Sequence, residues 1–236
     1  MLDENQLERI DRAARDLLVD PGILVEDQEI YDLLIRAGAR EGSQPNLARI
    51  PLKLLDEQLA LAPASAFLAD RTGSSGGTGG DAPAAVLRGE TGGGHTIAPD
   101  SPSRFWTGAA MNYLDERGHR AITRQDLADF SRVIDALANV DVIVGTATED
   151  TTPRHRDVVG LRIMANNTRK HLRALSFSPR GGEALIRMGE VLADGASLKE
   201  RPVFSVGFTA HGPLRWTSLA LSVFKSTAGY GIPATV

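Results

Sequence analysis

Cysteine is absent from this 236-residue chain, aromatic residues make up only 5% of it, and no apolar run approaches the roughly 20 residues that cross a bilayer. Without cysteine there is no disulfide, no thiolate metal site and no thiol nucleophile. The N-terminal stretch "MLDENQLERIDRAARDLL" is charged and amphipathic and lacks the apolar core of a signal peptide. No membrane span is expected, therefore, and the expected compartment is the cytoplasm. A surplus of positive charge is missing too. Lys and Arg number 26 against 30 Asp and Glu, a net charge of -4, which leaves no footprint for nucleic acid or an anionic membrane surface. His95, His119, His155 and His171 show no i, i+4 pair and no thiolate assists them, so no bound metal is expected. The Gly-rich runs "GSSGGTGG" and "TGGGH" lack the strand–loop–helix setting and the Lys and Ser/Thr of a phosphate loop.

What is present is a hydrophobic content of 42%, enough to fill the core of one large domain or of a cap plus an α/β domain. Residues 1–63 read as a helical lead-in. Leu7, Ile10, Ala14 and Leu17 to Leu18 recur at helical spacing until "DPG"; Ile30, Leu33, Leu34 and Ala37 share a second face; Pro51 opens a third short helix. Residues 64–122 break that period. "AFLADRTG" suits a short strand, 73–83 is too rich in glycine for a regular element, and short β-like pieces follow, with "DERGHR" suiting a hairpin connection. Thr123 then caps a helix with Asp126 at the capping-box position and Leu127, Phe130, Ile134 and Leu137 as its expected buried face.

From 123 to 236 the grammar changes to an apolar strand, then Ser, Thr or Gly, then Pro, then a helix. Strands are expected at 140–146, 171–177 and 202–209, with helices opened by Thr152 and Pro153, by Ser178 and Pro179, and near Gly212 and Pro213. Strands alternating with single helices, and apolar on both faces, predict a parallel sheet. An open doubly wound sheet and part of an eightfold barrel both satisfy this pattern. The final "GIPATV" resembles the opening of a fourth strand, which favours a partial barrel truncated in strand 4.

Four stretches resemble the trimethylamine methyltransferase family, the corrinoid-dependent enzymes that include glycine betaine methyltransferases. They are "RAARDLLVDPGILVEDQEIYDLLIRAGAR" with "IPLKLLDEQLALAP", "ERGHRAITRQDLADFSRVIDALANVDVI", "IMANNTRKHLRALSFSP", and "LADGASLKERPVFSVGFTAHGPLRW" with "STAGYGIPATV". Their order and spacing carry the likeness, which matches about the first half of a family chain. The resemblance implies an α/β fold, a partial (β/α)8 TIM barrel behind a small helical and β region. It also implies an enzyme that moves a methyl group from a tertiary or quaternary amine, such as trimethylamine or glycine betaine, to the cobalt of a corrinoid protein. On that reading the corrinoid (cobalamin) rides on the partner, this chain binds no cofactor, and the full-length protein is a homo-oligomer. "RKH" in place of "TKP", and a longer glycine-rich insertion, depart from the family pattern and leave the amine open. The competing reading is an inactive family fragment that at most binds a ligand or a partner.

A quaternary ammonium neither donates nor accepts a hydrogen bond, so its site needs aromatic faces and a carboxylate. Phe105, Trp106 and Tyr113 form the local aromatic set, with Trp106 the first to test; plain packing of a small β layer is the readier explanation. In a barrel, chemistry sits at the C-terminal ends of the strands. That places Thr148, Glu149 and Asp150 after the first strand, Ser176 and Ser178 after the second, and Thr209 and His211 after the third. His211 is the candidate proton carrier and Glu149 the candidate catalytic carboxylate, with Asp150, Ser176 and Thr209 as substrate-binding candidates. Helix capping accounts for Asp150 and Ser178 without any function.

Overall fold

The computed structural model describes residues 2–71, 93–109, 112–207 and 212–235. The glycine-rich stretch 73–83, Thr209, His211 and Val236 fall outside the described residues. In chain order the elements are α1 (Glu4–Val19), β1 (Ile23–Val25), α2 (Gln28–Arg36), β2 (Arg40–Glu41), β3 (Leu47–Arg49), α3 (Leu52–Leu61), β4 (Ala66–Ala69), β5 (Gly94–Ile97), β6 (Asn112–Asp115), β7 (Gly118–Ala121) and α4 (Arg124–Ala136). There follow β8 (Val142–Val144), a 3-10 turn at Pro153–His155, α5 (Arg156–Asn167), β9 (His171–Leu175), α6 (Gly181–Leu192), β10 (Phe204–Gly207), β11 (Arg215–Trp216), α7 (Ser218–Thr227) and β12 (Ala234–Thr235). No helix among the described residues is long and apolar enough to cross a membrane. The chain forms two compact units: Met1–Pro63 with Thr209–Leu221, and Ala64–Phe208 with Ser222–Val236.

The first unit joins its helices to a sheet of order β11-β1-β3-β2. Asp3 opens α1 with a full capping box, its carboxylate accepting from Gln6 N at 2.8 Å while the Gln6 side chain accepts from Asp3 N at 3.0 Å. Helical periodicity alone hid the strands of this region, because two or three residues are too few to display an alternation. Ile23, Val25, Ile30, Ala48, Leu54 and Leu221 make the core. The apolar stripe expected of α1 buries nothing: Leu7, Ile10 and Leu17 all lie exposed. The stretch near Gly212 and Pro213 opens no helix either. It leads into β11, which pairs parallel with β1, and α7 starts only at Ser218, whose N–H donates to Glu26 at 2.8 Å.

The second unit is built on a parallel sheet of order β12-β10-β9-β8, each strand lying beside the next one in this sheet along the chain. Helices α5 and α6 connect β8 to β9 and β9 to β10, as parallel neighbours require. Their apolar faces, with Leu161, Met164, Leu185 and Ile186, pack in one core with Ile143, Leu172, Phe204 and Val206 of the strands. The fold is thus mixed α/β, and no closed barrel forms among the described residues. Two antiparallel hairpins, β4–β5 and β6–β7, precede the sheet. The second turns through Gly118, whose φ of 112° suits glycine best.

Helix α4 begins as its sequence demands. Thr123 caps it, and the Asp126 carboxylate accepts from Thr123 N at 2.9 Å while Arg120 grips the same carboxylate through two nitrogens. That guanidinium holds the Asp126 carboxyl well below the ordinary range. The buried face of α4 differs from expectation. Leu127, Ala128, Ser131 and Ile134 are buried, whereas Phe130 and Leu137 reach the surface.

Candidate functional site

Along each parallel strand the side chains alternate between two faces. One face meets α5 and α6. The other carries Val142 and Val144 of β8, His171 and Arg173 of β9, and Ser205 and Gly207 of β10; register places Val144, Arg173 and Ser205 side by side. Trp106 joins this arrangement at the β8 edge. It forms a parallel bridge with Val142, Thr107 N donates to Val142 O at 3.1 Å, and Val144 N donates to Thr107 Oγ1 at 2.8 Å. The Arg173 guanidinium lies 5.5 Å from the centre of the Trp106 ring, a cation–π distance. Gly207 makes room for it: a Cβ there would come within 2.1 Å of Arg173 Nη2. Burial lowers the Arg173 pKa.

His171 sits at the opposite end of β9 and is wholly buried. Its Nδ1 lies 2.9 Å from the Ala69 carbonyl, which can only accept, so Nδ1 carries the proton. Nε2 has no partner among the described residues, and burial lowers the pKa of the ring to about 4. This is a neutral structural histidine that ties β9 to β4.

The three aromatic candidates do not gather. Trp106 faces Arg173, Phe105 is 62% exposed, and Tyr113 lies on the β6–β7 hairpin with Arg120 stacked 4.5 Å from its ring. The loop after β8 holds Thr148, buried and bonded through Oγ1 to Thr151 Oγ1 at 2.7 Å. Glu149 is exposed, with Arg156 at 3.5 Å, and Asp150 accepts from Arg124 N at 2.9 Å and Arg124 Nε at 3.1 Å. Those bonds from Arg124 lower the Asp150 pKa against the cost of desolvation, the largest influence on it. Thr209 and His211 lie outside the described residues.

Ser176 and Ser178, after β9, converge on a residue that sequence reasoning passed over. Asp157, in the first turn of α5 and 3% exposed, accepts from Phe177 N at 2.8 Å, Ser178 Oγ at 2.8 Å and Ser176 Oγ at 3.3 Å. Ser178 is therefore not the cap of α6, which starts at Gly181 behind Arg180. No local pattern marks Asp157, since its partners stand 19 to 21 residues away. Gly181 is needed beside it, because a Cβ there would fall 1.8 Å from Asp157 Oδ2.

No family model matches the chain. Three relatives do. Trimethylamine methyltransferase MttB of Desulfitobacterium hafniense is 26% identical over 235 residues, 99% of this chain and 44% of the relative. Trimethylamine methyltransferase MttB1 of Methanosarcina mazei and MttB of Methanosarcina barkeri are each 25% identical over 244 residues, 98% of this chain and 45% of theirs. The chain spans somewhat under half the length of these proteins. Along almost its whole length, then, this chain is a homologue of the trimethylamine methyltransferases.

Proposed function

We propose that the protein serves a methyltransferase that takes a methyl group from a tertiary or quaternary amine, trimethylamine, glycine betaine or a similar compound, and passes it to a corrinoid protein. The observation that carries this reading is the continuous alignment with trimethylamine methyltransferases over 98–99% of the chain. The sequential parallel order β12-β10-β9-β8 supports a second element of it. A doubly wound sheet reverses its order at a switch point; a barrel adds each strand on the same side, as these four do. We take the sheet as a sector of a (β/α)8 barrel, with the amine held toward the C-terminal ends of the strands.

In this reading the corrinoid belongs to the partner and supplies the nucleophile, and no residue of this chain is assigned to hold it. The chain binds and orients the amine. Trp106, already flanked by Arg173, supplies an aromatic ring and Glu149, beside Arg156, an exposed carboxylate, the two group types that attract an alkylammonium. The test incubates the chain with a corrinoid protein, a reductant and either trimethylamine or glycine betaine, and follows demethylation by proton NMR. Loss of one methyl that requires the corrinoid protein and the reductant supports the proposal. Turnover without them would refute it. Amine binding with no turnover would confine this chain to the binding role.

A further inference from the structure

We propose that Arg71 and Arg201, with Arg169 at the exposed rim, bind a phosphate-class oxyanion at the N-terminal ends of β9 and β10. The three residues are far apart in sequence, and the backbone brings them to one place. Ala69 N donates to Pro202 O at 3.1 Å, His171 Nδ1 donates to Ala69 O at 2.9 Å, and Arg71 N donates to Arg169 O at 2.6 Å. The segment leaving β4 therefore crosses the entries to β9 and β10. Arg71 donates through Nη2 to Thr168 O, just past α5, and Arg201 through Nη1 to Ala193 O at 3.3 Å, just past α6. Both arginines are half-buried, and Nε of each is buried with no partner among the described residues.

The negative charge around them falls short. Two helix C-termini account for why the guanidiniums lie here, but each end supplies only about half a unit of charge. Among the described residues no ion pair includes Arg71, Arg169 or Arg201. The Asp135 carboxylate accepts from Thr168 Oγ1 at 2.9 Å and Arg169 N at 2.8 Å, and Glu200, next to Arg201 in the chain, accepts from Ser197 Oγ at 2.8 Å. Burial lowers the Arg71 pKa, Asp135 raises it, Arg201 lowers it further and Asp70 raises it, so the two arginines stand close enough to repel. Like charges partly removed from water are costly without a counter-charge. A phosphate dianion supplies one. Its oxygens accept from several planar guanidinium forks at once, whereas the two oxygens of a carboxylate serve a single fork.

Isothermal titration of the full chain with inorganic phosphate, pyrophosphate and acetate, at an ionic strength held constant with chloride, tests this. Phosphate and pyrophosphate should bind about tenfold tighter than acetate, or more. Arg71→Met and Arg201→Met should each lose about tenfold or more in phosphate affinity, whereas Arg9→Met, which removes an exposed charge from α1, should lose nothing. Should a variant fail to fold, phenylglyoxal labelling of the unsubstituted chain, read by mass spectrometry, gives a second measurement: phosphate should slow the labelling of Arg71 and Arg201 relative to Arg9. The site is overturned if phosphate does not bind, if acetate binds as tightly, if both substitutions leave phosphate affinity untouched, or if phosphate leaves the labelling of the two arginines unchanged.

Discussion

A 2.8 Å hydrogen bond joins Ser178 Oγ to the Asp157 carboxylate across 21 residues of sequence, fastening the loop after β9 to the first turn of α5. Replacing Asp157 by Ala strips that loop of an acceptor shared by two hydroxyls and the Phe177 N–H. Buried donors left unpaired are costly, so Asp157→Ala should lose about 2–4 kcal/mol in urea unfolding. Asp157→Asn keeps one acceptor oxygen and should lose less. A loss under about 0.5 kcal/mol for the Ala variant would show that the cluster adds nothing to stability.

Acid should weaken the fold through His171. Its pKa is about 4 in the folded chain against 6.5 ordinarily, so between those values the unfolded chain binds the proton and the folded one does not. Stability from this group is full above pH 6.5, falls as pH drops, and levels off below about 4. The slope reaches at most about 1.4 kcal/mol per pH unit. Unfolding curves at several pH values, compared with His171→Asn, measure it; an unchanged slope in the variant would contradict the assignment.

Gly189 of α6 lies against Phe204 of β10. A Cβ there would sit 2.2 Å from Phe204 Cε1, and Phe204 is fully buried. The ring has no room to retreat, so Gly189→Ala should cost about 1–3 kcal/mol despite alanine's better helix propensity. Gly108, with open space around its Cβ position, is the control, and Gly108→Ala should be close to neutral in thermal melts.

Two buried serines should answer the same substitution in opposite ways. Ser131 Oγ donates to Leu127 O at 2.6 Å, whereas Ser205 Oγ is buried with no partner among the described residues. Ser131→Ala should cost about 1 kcal/mol, and Ser205→Ala should be neutral or stabilising, since it removes an unsatisfied hydroxyl. Equal losses for both in denaturant titrations would mean that Ser205 finds a partner in solution.

Local rules carried the reading furthest where partners are near in sequence. The Thr123–Asp126 capping box joins groups three residues apart, and the β6–β7 turn needs only Gly118. The same rules misassigned Ser178, whose Ser-Pro setting looks like a cap but whose hydroxyl prefers Asp157. They also misread β11, because its partner β1 lies about 190 residues away in the chain.

By itself, the sequence of this protein determined the alternation of strands and helices, the parallel pairing it requires and the kinship it shares with trimethylamine methyltransferases, since period, turn chemistry and motif order are all local. Only the tertiary structure decided which side chains share a face: Arg173 beside Trp106 over Gly207, Asp157 beneath Ser176 and Ser178, His171 against Ala69. Strand register and the docking of α5 make those neighbours, and register is a sum of many weak packing choices that no short stretch of chain displays.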